Sequence, residues 1–508
     1  MQQRAARICG RLPLVWLLLS VLVGSVFVAT PVGCKTSKPK QEDAEQTGQL
    51  SQQARILQLA SFDYVWETIR NRHFDPTFGG LDWDAMRAEY RPRVLEAKNQ
   101  RQVRGILNEM IGRLELTHFQ VIPSSTYDAI QNEGGDSVEE ESLDANDAES
   151  SSDSEVKTAG SSQAEEAQVA ASGPSDEDGV PGFDVRVMNG QALVTEVRED
   201  SKAWQLGVRP GWEIVSIRGR PMVESIQRIR NHYQDSNMNT EALHQHRAIL
   251  HRFSGTVGET VPAQFRAEDD ELKELAIPLV AHRGKLHTLG ELGGHVWYES
   301  QRLDSGVGYI HFSMFLGGDL VSNFSKSITE FRDAGAPGII LDLRGNPGGI
   351  GLFAISMSGW FFEYSGNNNP NLELGTMHLR RTSLKFAVNP RLDSYRGRLA
   401  ILMDGCSAST SEIMAGGLAD LGRGRVFGTR SAGAALPSVI ERLPNGDAFQ
   451  YAVANYVSKS GVVLEGRGVI PDQEVQQSRR GLLAGHDEVL EAAEGWLLQE
   501  SPSTGEKD

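Results

Sequence analysis

Cysteine is nearly absent: there are three in 508 residues, and Cys9 and Cys34 fall within the first 34 positions, leaving Cys406 alone in the part that folds. An internal disulfide is excluded there, so stability has to come from packed apolar cores, which a chain of this length can bury. A basic stripe is missing too. With 50 Lys+Arg against 67 Asp+Glu and a net charge of −17, nothing is arranged to neutralise a row of phosphates, which disfavours nucleic-acid binding. The acidic excess is itself local, because residues 133–178 hold fifteen acidic side chains against the single Lys157. The rest is close to neutral, and no fixed-period repeat runs through it.

What is present begins with an export pattern. Arg4, Arg7 and Arg11 precede an apolar run from Leu12 to Val32, the layout of a signal segment. The run closes on Pro31-Val32-Gly33-Cys34, which is similar to the lipobox of bacterial lipoproteins, where the cysteine is acylated; Pro31 stands where that pattern usually has Leu. The expectation is an exported chain, membrane-anchored at the cell envelope through a lipid on Cys34. An uncleaved anchor is the alternative, since about twenty apolar residues can span a bilayer.

Composition and periodicity divide the chain further. Residues 1–34 read as signal peptide and lipobox and 35–50 as a polar tether. Residues 51–130 read as a helical domain, with Ile56, Leu57, Leu59, Ala60, Tyr64, Val65 and Trp66 at roughly helical spacing. Residues 131–179, rich in Ser, Glu, Asp and Ala, cannot bury enough apolar surface to fold and read as a disordered insertion. Residues 180–283 show short strand-like runs around a helical stretch from Glu224 to His251. Residues 290–500 alternate apolar strands with helices; the candidates Val307–Phe312, Gly338–Leu343, Leu399–Met403 and Arg425–Phe427 favour a largely parallel sheet. Residues 501–508 are a tail.

Two strand ends carry chemistry. The strand ending at Leu343 runs into Arg344-Gly345-Asn346-Pro347-Gly348-Gly349, where glycines let backbone N–H groups approach a ligand closely. The strand ending at Met403 leads into Ser407-Ala408-Ser409-Thr410-Ser411-Glu412, which puts a hydroxyl at the positive end of a helix. Read alone, Ser409 with Glu412 three residues on is a capping box before it is a nucleophile.

These two segments, with the closing Glu465-Gly466-Arg467-Gly468-Val469-Ile470-Pro471-Asp472, occur in the order found in the C-terminal processing peptidase and tricorn protease family, which the chain resembles from about Phe62 onward. The resemblance implies an α/β core of the ClpP/crotonase-like ββα type, an N-terminal helical domain and an inserted PDZ-like domain. It implies a serine peptidase acting on extended polypeptide without a cofactor, with Ser409 as nucleophile and an oxyanion hole from Thr410 and from Gly348 or Gly349. Gly182-Phe183-Asp184-Val185, with Leu206-Gly207-Val208-Arg209-Pro210-Gly211, is similar to a PDZ signature and implies peptide capture by strand addition at Gly182, Phe183, Asp184 and Val185.

One departure bears on mechanism. The processing peptidases place a lysine about twenty-five residues after the serine, and Ala434 stands there. The tricorn branch uses an upstream Ser-His pair and a late glutamate, positions that fall here on Thr117-His118 and Glu465. His118 is then the expected base, Glu465 its acidic partner, Thr117 a relay, and Asp420 a supporting acid. His244, His246 and His251 do not share a helix face in a metal-binding pattern, so no metal is expected. Cys406 reads as a small buried side chain. A catalytically inactive peptide-binding scaffold and a lipid carrier of the same core fold are the rival readings, and the oligomeric state is left open.

Overall fold

The computed structural model describes residues 50–123, 178–233, 239–289, 292–365 and 372–499. The signal segment with Cys34, most of the tether, nearly all of the acidic insertion and the tail lie outside the described residues.

Three helices open the described chain, each started by a side-chain cap. Ser51 Oγ accepts the Ala54 N–H at 3.1 Å to begin α1 (Gln52–Arg72), and Asp82 and Asn99 cap α2 (Trp83–Glu96) and α3 (Gln100–Gly112). The buried face of α1 is Phe62, Val65, Trp66 and Ile69, an i, i+3, i+4, i+7 stripe packed with α2 and α3. Ile56 and Leu57, counted as core marks from periodicity, lie before that stripe and are exposed. Nor is this helical part a separate body. Past α3 the chain turns at Leu114–Phe119 into β1 (Gln120–Ile122), which pairs with a strand more than three hundred residues downstream. Leu443, Phe449 and Tyr451 complete the helical core.

A small β unit follows. Strands β2 (Phe183–Met188), β3 (Gln191–Val197), β4 (Glu213–Ile217), β5 (Thr260–Arg266) and β6 (Leu272–Pro278) pair antiparallel in the order β2-β3-β4-β5-β6. Asp178–Val180 pairs with Val280–Ala281 and Gly255–Thr256, so the folded unit begins slightly before residue 180. The helical stretch is two helices, α4 (Met222–Tyr233) and α5 (Glu241–His251). Phe183 packs edge-on against Phe253 and Phe265 at the centre of this unit.

The third part is a sheet covered on both faces. Its strands are β7 (Tyr298–Arg302), β8 (Gly308–Phe312), β9 (Gly338–Asp342), β10 (Arg398–Met403) and β11 (Arg425–Gly428); the hairpin β12 (Ser438–Arg442) and β13 (Ala448–Ala452), to which β1 adds, intervenes before β14 (Gln473–Glu474). The sheet order is β7-β8-β9-β10-β11-β14, parallel from β8 onward with β7 antiparallel at the edge. Helices α6 (Leu320–Asp333), α7 (Gly351–Ser358) and α8 (Thr410–Asp420) cover one face, and α9 (Glu488–Leu498) covers the other. Burial on both sides explains the unbroken apolar runs Gly338–Asp342 and Arg398–Met403. Asp342 lies beside Leu402, so the loops leaving β9 and β10 emerge as neighbours, where parallel sheets place their sites.

Candidate active site

Ser409 sits between β10 and α8 with φ 55° and ψ −117°. A side chain with Cβ avoids this region, so the turn is strained and is held by its surroundings. The bonds that hold it are numerous. Ser409 N–H is shared between Ala434 O at 2.8 Å and Glu412 Oε2 at 2.9 Å. Ser407 Oγ donates to Leu343 O at 2.8 Å, Ala408 N–H to Asn346 O at 3.0 Å, and Ser411 Oγ to Asn346 O at 2.9 Å. Asn346, fully buried, donates from its own amide to Phe312 O at 2.9 Å. From the sequence Glu412 is only the partner of a cap. Its buried carboxylate also accepts from Ser431 Oγ at 2.6 Å and from the N–H groups of Gly433 and Ala434 at 2.8 and 3.0 Å. Burial nonetheless pushes its carboxyl up to about 7, against the pull of those donors.

The glycine loop lies directly on this turn. A Cβ on Gly348 would come within 2.7 Å of Ser409 Cβ and 2.8 Å of Thr410 N, and its φ of 97° is in any case a glycine conformation. The pair Gly348 and Gly349 divides, however. Gly348 N–H is committed to Asn346 Oδ1 at 2.9 Å, which removes it as an oxyanion donor. At Gly349 the flanking residues make the bonds to Phe315, and Gly349 O takes the Thr410 hydroxyl at 2.8 Å. Among the described residues, neither the Gly349 nor the Thr410 N–H has an acceptor, so these two form the available hole.

The helical part supplies the base candidate. His118, with φ 61°, follows the turn out of α3, and its Nδ1 lies 2.7 Å from Thr117 Oγ1. That hydroxyl donates its single proton to Glu465 Oε2 at 3.0 Å, so Nδ1 is the donor to Thr117 and Nε2 is left as the basic nitrogen. Glu465 therefore reaches the imidazole only through Thr117, whose N–H it also accepts at 2.7 Å, and it further takes the Ala435 N–H at 3.1 Å. The consecutive residues Ala434 and Ala435 thus tie Ser409 on one side and Glu465 with its relay on the other. No hydrogen bond joins His118 to Ser409. Burial and then the Arg247 guanidinium beside it lower the His118 pKa to about 4, while burial raises that of Glu465.

Other expectations fall elsewhere. Asp420, read as a supporting acid, ends α8 about 15 Å of helical rise from Ser409 and accepts the Ser460 N–H at 2.9 Å, so it anchors a turn far from the site. Of the PDZ-like segment, Gly182 has φ 76°, Phe183 and Val185 point into the β core, and Asp184 pairs with Arg186 at 2.6 Å and His246 at 2.8 Å. Arg186 Nε also donates to Asp404 at 2.6 Å, and Asp404 accepts the N–H groups of Gly345 and Cys406, a junction between the β unit and both site loops that no local pattern announces. A cleft of about 1600 Å³ between β unit and core, lined by Phe183, Arg186, Trp297 and Asp404 among others, reaches the nucleophile turn at Cys406 and stops short of Ser409 and His118. The Cys406 thiol is buried and pushed well above its usual range, which removes it as a nucleophile.

Residues 306–475 match the model of Peptidase family S41, and residues 59–112 match the Tricorn protease C1 domain. A probable CtpA-like serine protease of Staphylococcus aureus (strain COL) is 25% identical over 297 residues, 57% of this chain and 51% of that protein; one from Staphylococcus epidermidis is 24% identical, covering 57% and 52%. The chain spans about half the length of the curated relatives it matches. In fold it is similar to the photosystem II D1 C-terminal processing protease, with TM-score 0.51, 16% identity and coverage of 85% of this chain and 98% of that one. It is likewise similar to mature CPAF complexed with lactacystin, with TM-score 0.55, 13% identity and coverage of 88% and 99%. The loops around Ser409 fall within the segment that matches Peptidase family S41, and the segment that matches the Tricorn protease C1 domain lies ahead of it in the chain.

Proposed function

We propose that this chain is a serine peptidase that cleaves extended or unfolded polypeptide. The observation that carries the reading is the strained Ser409 turn with the unaccepted N–H groups of Gly349 and Thr410 beside it. In the reaction Ser409 Oγ attacks the scissile carbonyl carbon and its proton passes to His118 Nε2. The carbonyl electrons move to the oxygen, which accepts from Gly349 and Thr410 N–H. Collapse breaks the C–N bond as His118 returns the proton to the leaving amine. Water then attacks the acyl-enzyme with His118 again as base, releasing the new carboxyl end and restoring Ser409. Glu465 acts through Thr117 to fix the imidazole tautomer.

The same proposal gives the β unit the role of a PDZ-like module. β2 is the edge of its sheet, so the backbone after Gly182 can take an extended peptide as an added strand. It also includes export and anchoring through lipid on Cys34, checked by incorporation of radiolabelled palmitate that disappears in Cys34→Ala.

Labelling with a fluorophosphonate followed by peptide mapping tests the chemistry. The expected result is an adduct on Ser409, absent in Ser409→Ala and greatly slowed in His118→Ala, with cleavage of denatured casein falling by about 10⁴-fold or more in Ser409→Ala. Ala434 in the lysine position and the lack of a direct Ser409–His118 bond favour a second reading, an inactive peptide-binding relative. Folded protein that takes no label and cuts nothing would establish that reading instead.

A further inference from the structure

Four arginines gather where the two helices of the β unit meet its sheet. Arg218 and Arg220 flank Gly219 in the turn after β4, with Ile217 paired to Arg220 across it; Arg228 lies on α4, and Arg252 is the residue on which α5 ends. Contacts tie these positions into one face. Arg218 Nε donates to Arg252 O at 3.3 Å and Arg218 Nη2 to Ser254 O at 3.1 Å, while Arg252 Nη2 donates to Ser225 Oγ at 2.6 Å. Ser225 stands one turn before Arg228 on α4, and its own hydroxyl donates to the carbonyl of Pro221, next to Arg220, at 3.4 Å.

This face is short of negative charge. Glu259 lies 3.1 Å from Arg218, but among the described residues Arg220, Arg228 and Arg252 make no ion pair, and Glu224, one turn before Arg228, does not reach it. Elsewhere in the molecule Arg186 and Arg344 are each held by two carboxylates. Arg252 Nη1 is shielded from water without a partner, and burial, then the charges of Arg220 and Arg228, lower the pKa of that guanidinium. Arg218, Arg220 and Arg228 are exposed. One shielded cation behind three accessible ones attracts an anion that carries several charges, and the guanidinium fork matches carboxylates.

The chain carries such an anion itself. From Glu133 to Glu177 it has fourteen carboxylates against the single Lys157, and the last two, on Asp176 and Glu177, immediately precede Asp178. Asp178 is where the chain enters the β unit, paired with Thr256; the Thr256 N–H is bonded to Glu259 Oε2 at 3.2 Å, on the same carboxylate that meets Arg218. The acidic stretch therefore joins the fold one side chain away from the arginine face, and ten of its residues would span up to about 33 Å.

We propose that the face formed by Arg218, Arg220, Arg228 and Arg252 is a docking surface for the chain's own acidic segment, residues 133–177. Each exposed pair is worth little alone. Attachment at Asp178 holds the carboxylates at a local concentration of about millimolar, so several weak pairs suffice to keep the face covered. The surface is built on α5, whose Leu243 packs with Cys406 and Ala408 of the nucleophile turn.

A fluorescent peptide of residues 133–177 tests this by anisotropy, titrated onto the full chain and onto a full-length variant in which each Asp and Glu from Glu133 to Glu177 is replaced by Asn or Gln. In the natural chain the tethered segment competes, so its Kd should be about tenfold or more weaker than that of the neutralised chain. In the neutralised chain, Arg220→Gln with Arg228→Gln should weaken binding by about three- to thirtyfold, and Arg220→Glu with Arg228→Glu should weaken it further. Binding should also fade as NaCl rises from about 50 to about 500 mM. Equal affinity for the natural and neutralised chains overturns the proposal and leaves the face to an acidic segment of another protein. An affinity indifferent to the arginine substitutions, with the fold verified by circular dichroism, overturns it as well, and so does a peptide that binds neither chain.

Discussion

The proposed nucleophile and the proposed base are held in very different ways. Ser409 is locked by the main chain of two adjacent loops, by buried Asn346 and by a carboxylate with four donors, all inside the parallel-sheet core. His118 comes from another part of the chain, leaves a helix in a strained conformation, and is held by one hydroxyl that is itself held by Glu465. The core builds the Ser409 turn and its pair of free N–H groups from its own loops, which the β unit braces through Arg186 and Leu243. The base is present only if the helical part docks through β1 and if Thr117 and Glu465 meet. The proposed base therefore depends on the docking of the helical part, whereas the strained serine is held mainly by hydrogen bonds within the core.

The sharpest way to break that contrast is at its stronger side, with Glu412→Gln. Oε1 faces Ser431 Oγ and Gly433 N–H, and Oε2 faces Ser409 and Ala434 N–H, so an amide in either orientation sets its NH2 against a backbone donor. The expected cost is about 1–3 kcal/mol of stability, read by denaturant unfolding, with about 10²-fold lost in kcat as the serine shifts. The pH dependence has a definite sign. The folded pKa of Glu412 lies above its usual value, near 7, so its contribution is full below about pH 4.5 and is lost as pH rises through 7. Wild-type Tm should decline from pH 6 to pH 8 and that of Glu412→Gln should not. Equal slopes would mean that Glu412 does not titrate there.

The same contrast explains what could be read in advance. The parallel core was legible because strands buried on both faces are written as apolar runs, and Ser409 because three motifs stand in order along the chain. Which glycine donates was not, since Asn346 decides it by taking the Gly348 N–H with a side chain. Glu465 and Thr117 were named singly, but their arrangement in series is a contact between residues 348 apart in sequence. Asp420 was placed at the far end of the helix that Ser409 starts, but that its carboxylate takes the Ser460 N–H is a contact between residues 40 apart that no local pattern carries.

At the weaker side the effect should be smaller and differently shaped. Thr117→Val keeps the side-chain volume and removes the hydroxyl that joins Glu465 to His118. The imidazole then loses its tautomer and orientation but not its burial, so kcat should fall by at most about 10²-fold, the lower end of what a general base contributes, and Thr117→Ser should restore it. The pH profile separates positioning from titration. Neutral His118 is the active form, so kcat/KM in the wild type should be lost as pH falls through about 4 rather than near 6.5. In Thr117→Val the plateau should drop while this acid limb stays, because burial and Arg247, not Thr117, set it. A limb that instead moves upward would identify Glu465 as the titrating group, since losing the Thr117 hydroxyl removes a donor that holds its pKa down. Base and orienting acid would then have exchanged their places in the pH profile, with the relay geometry between them unchanged.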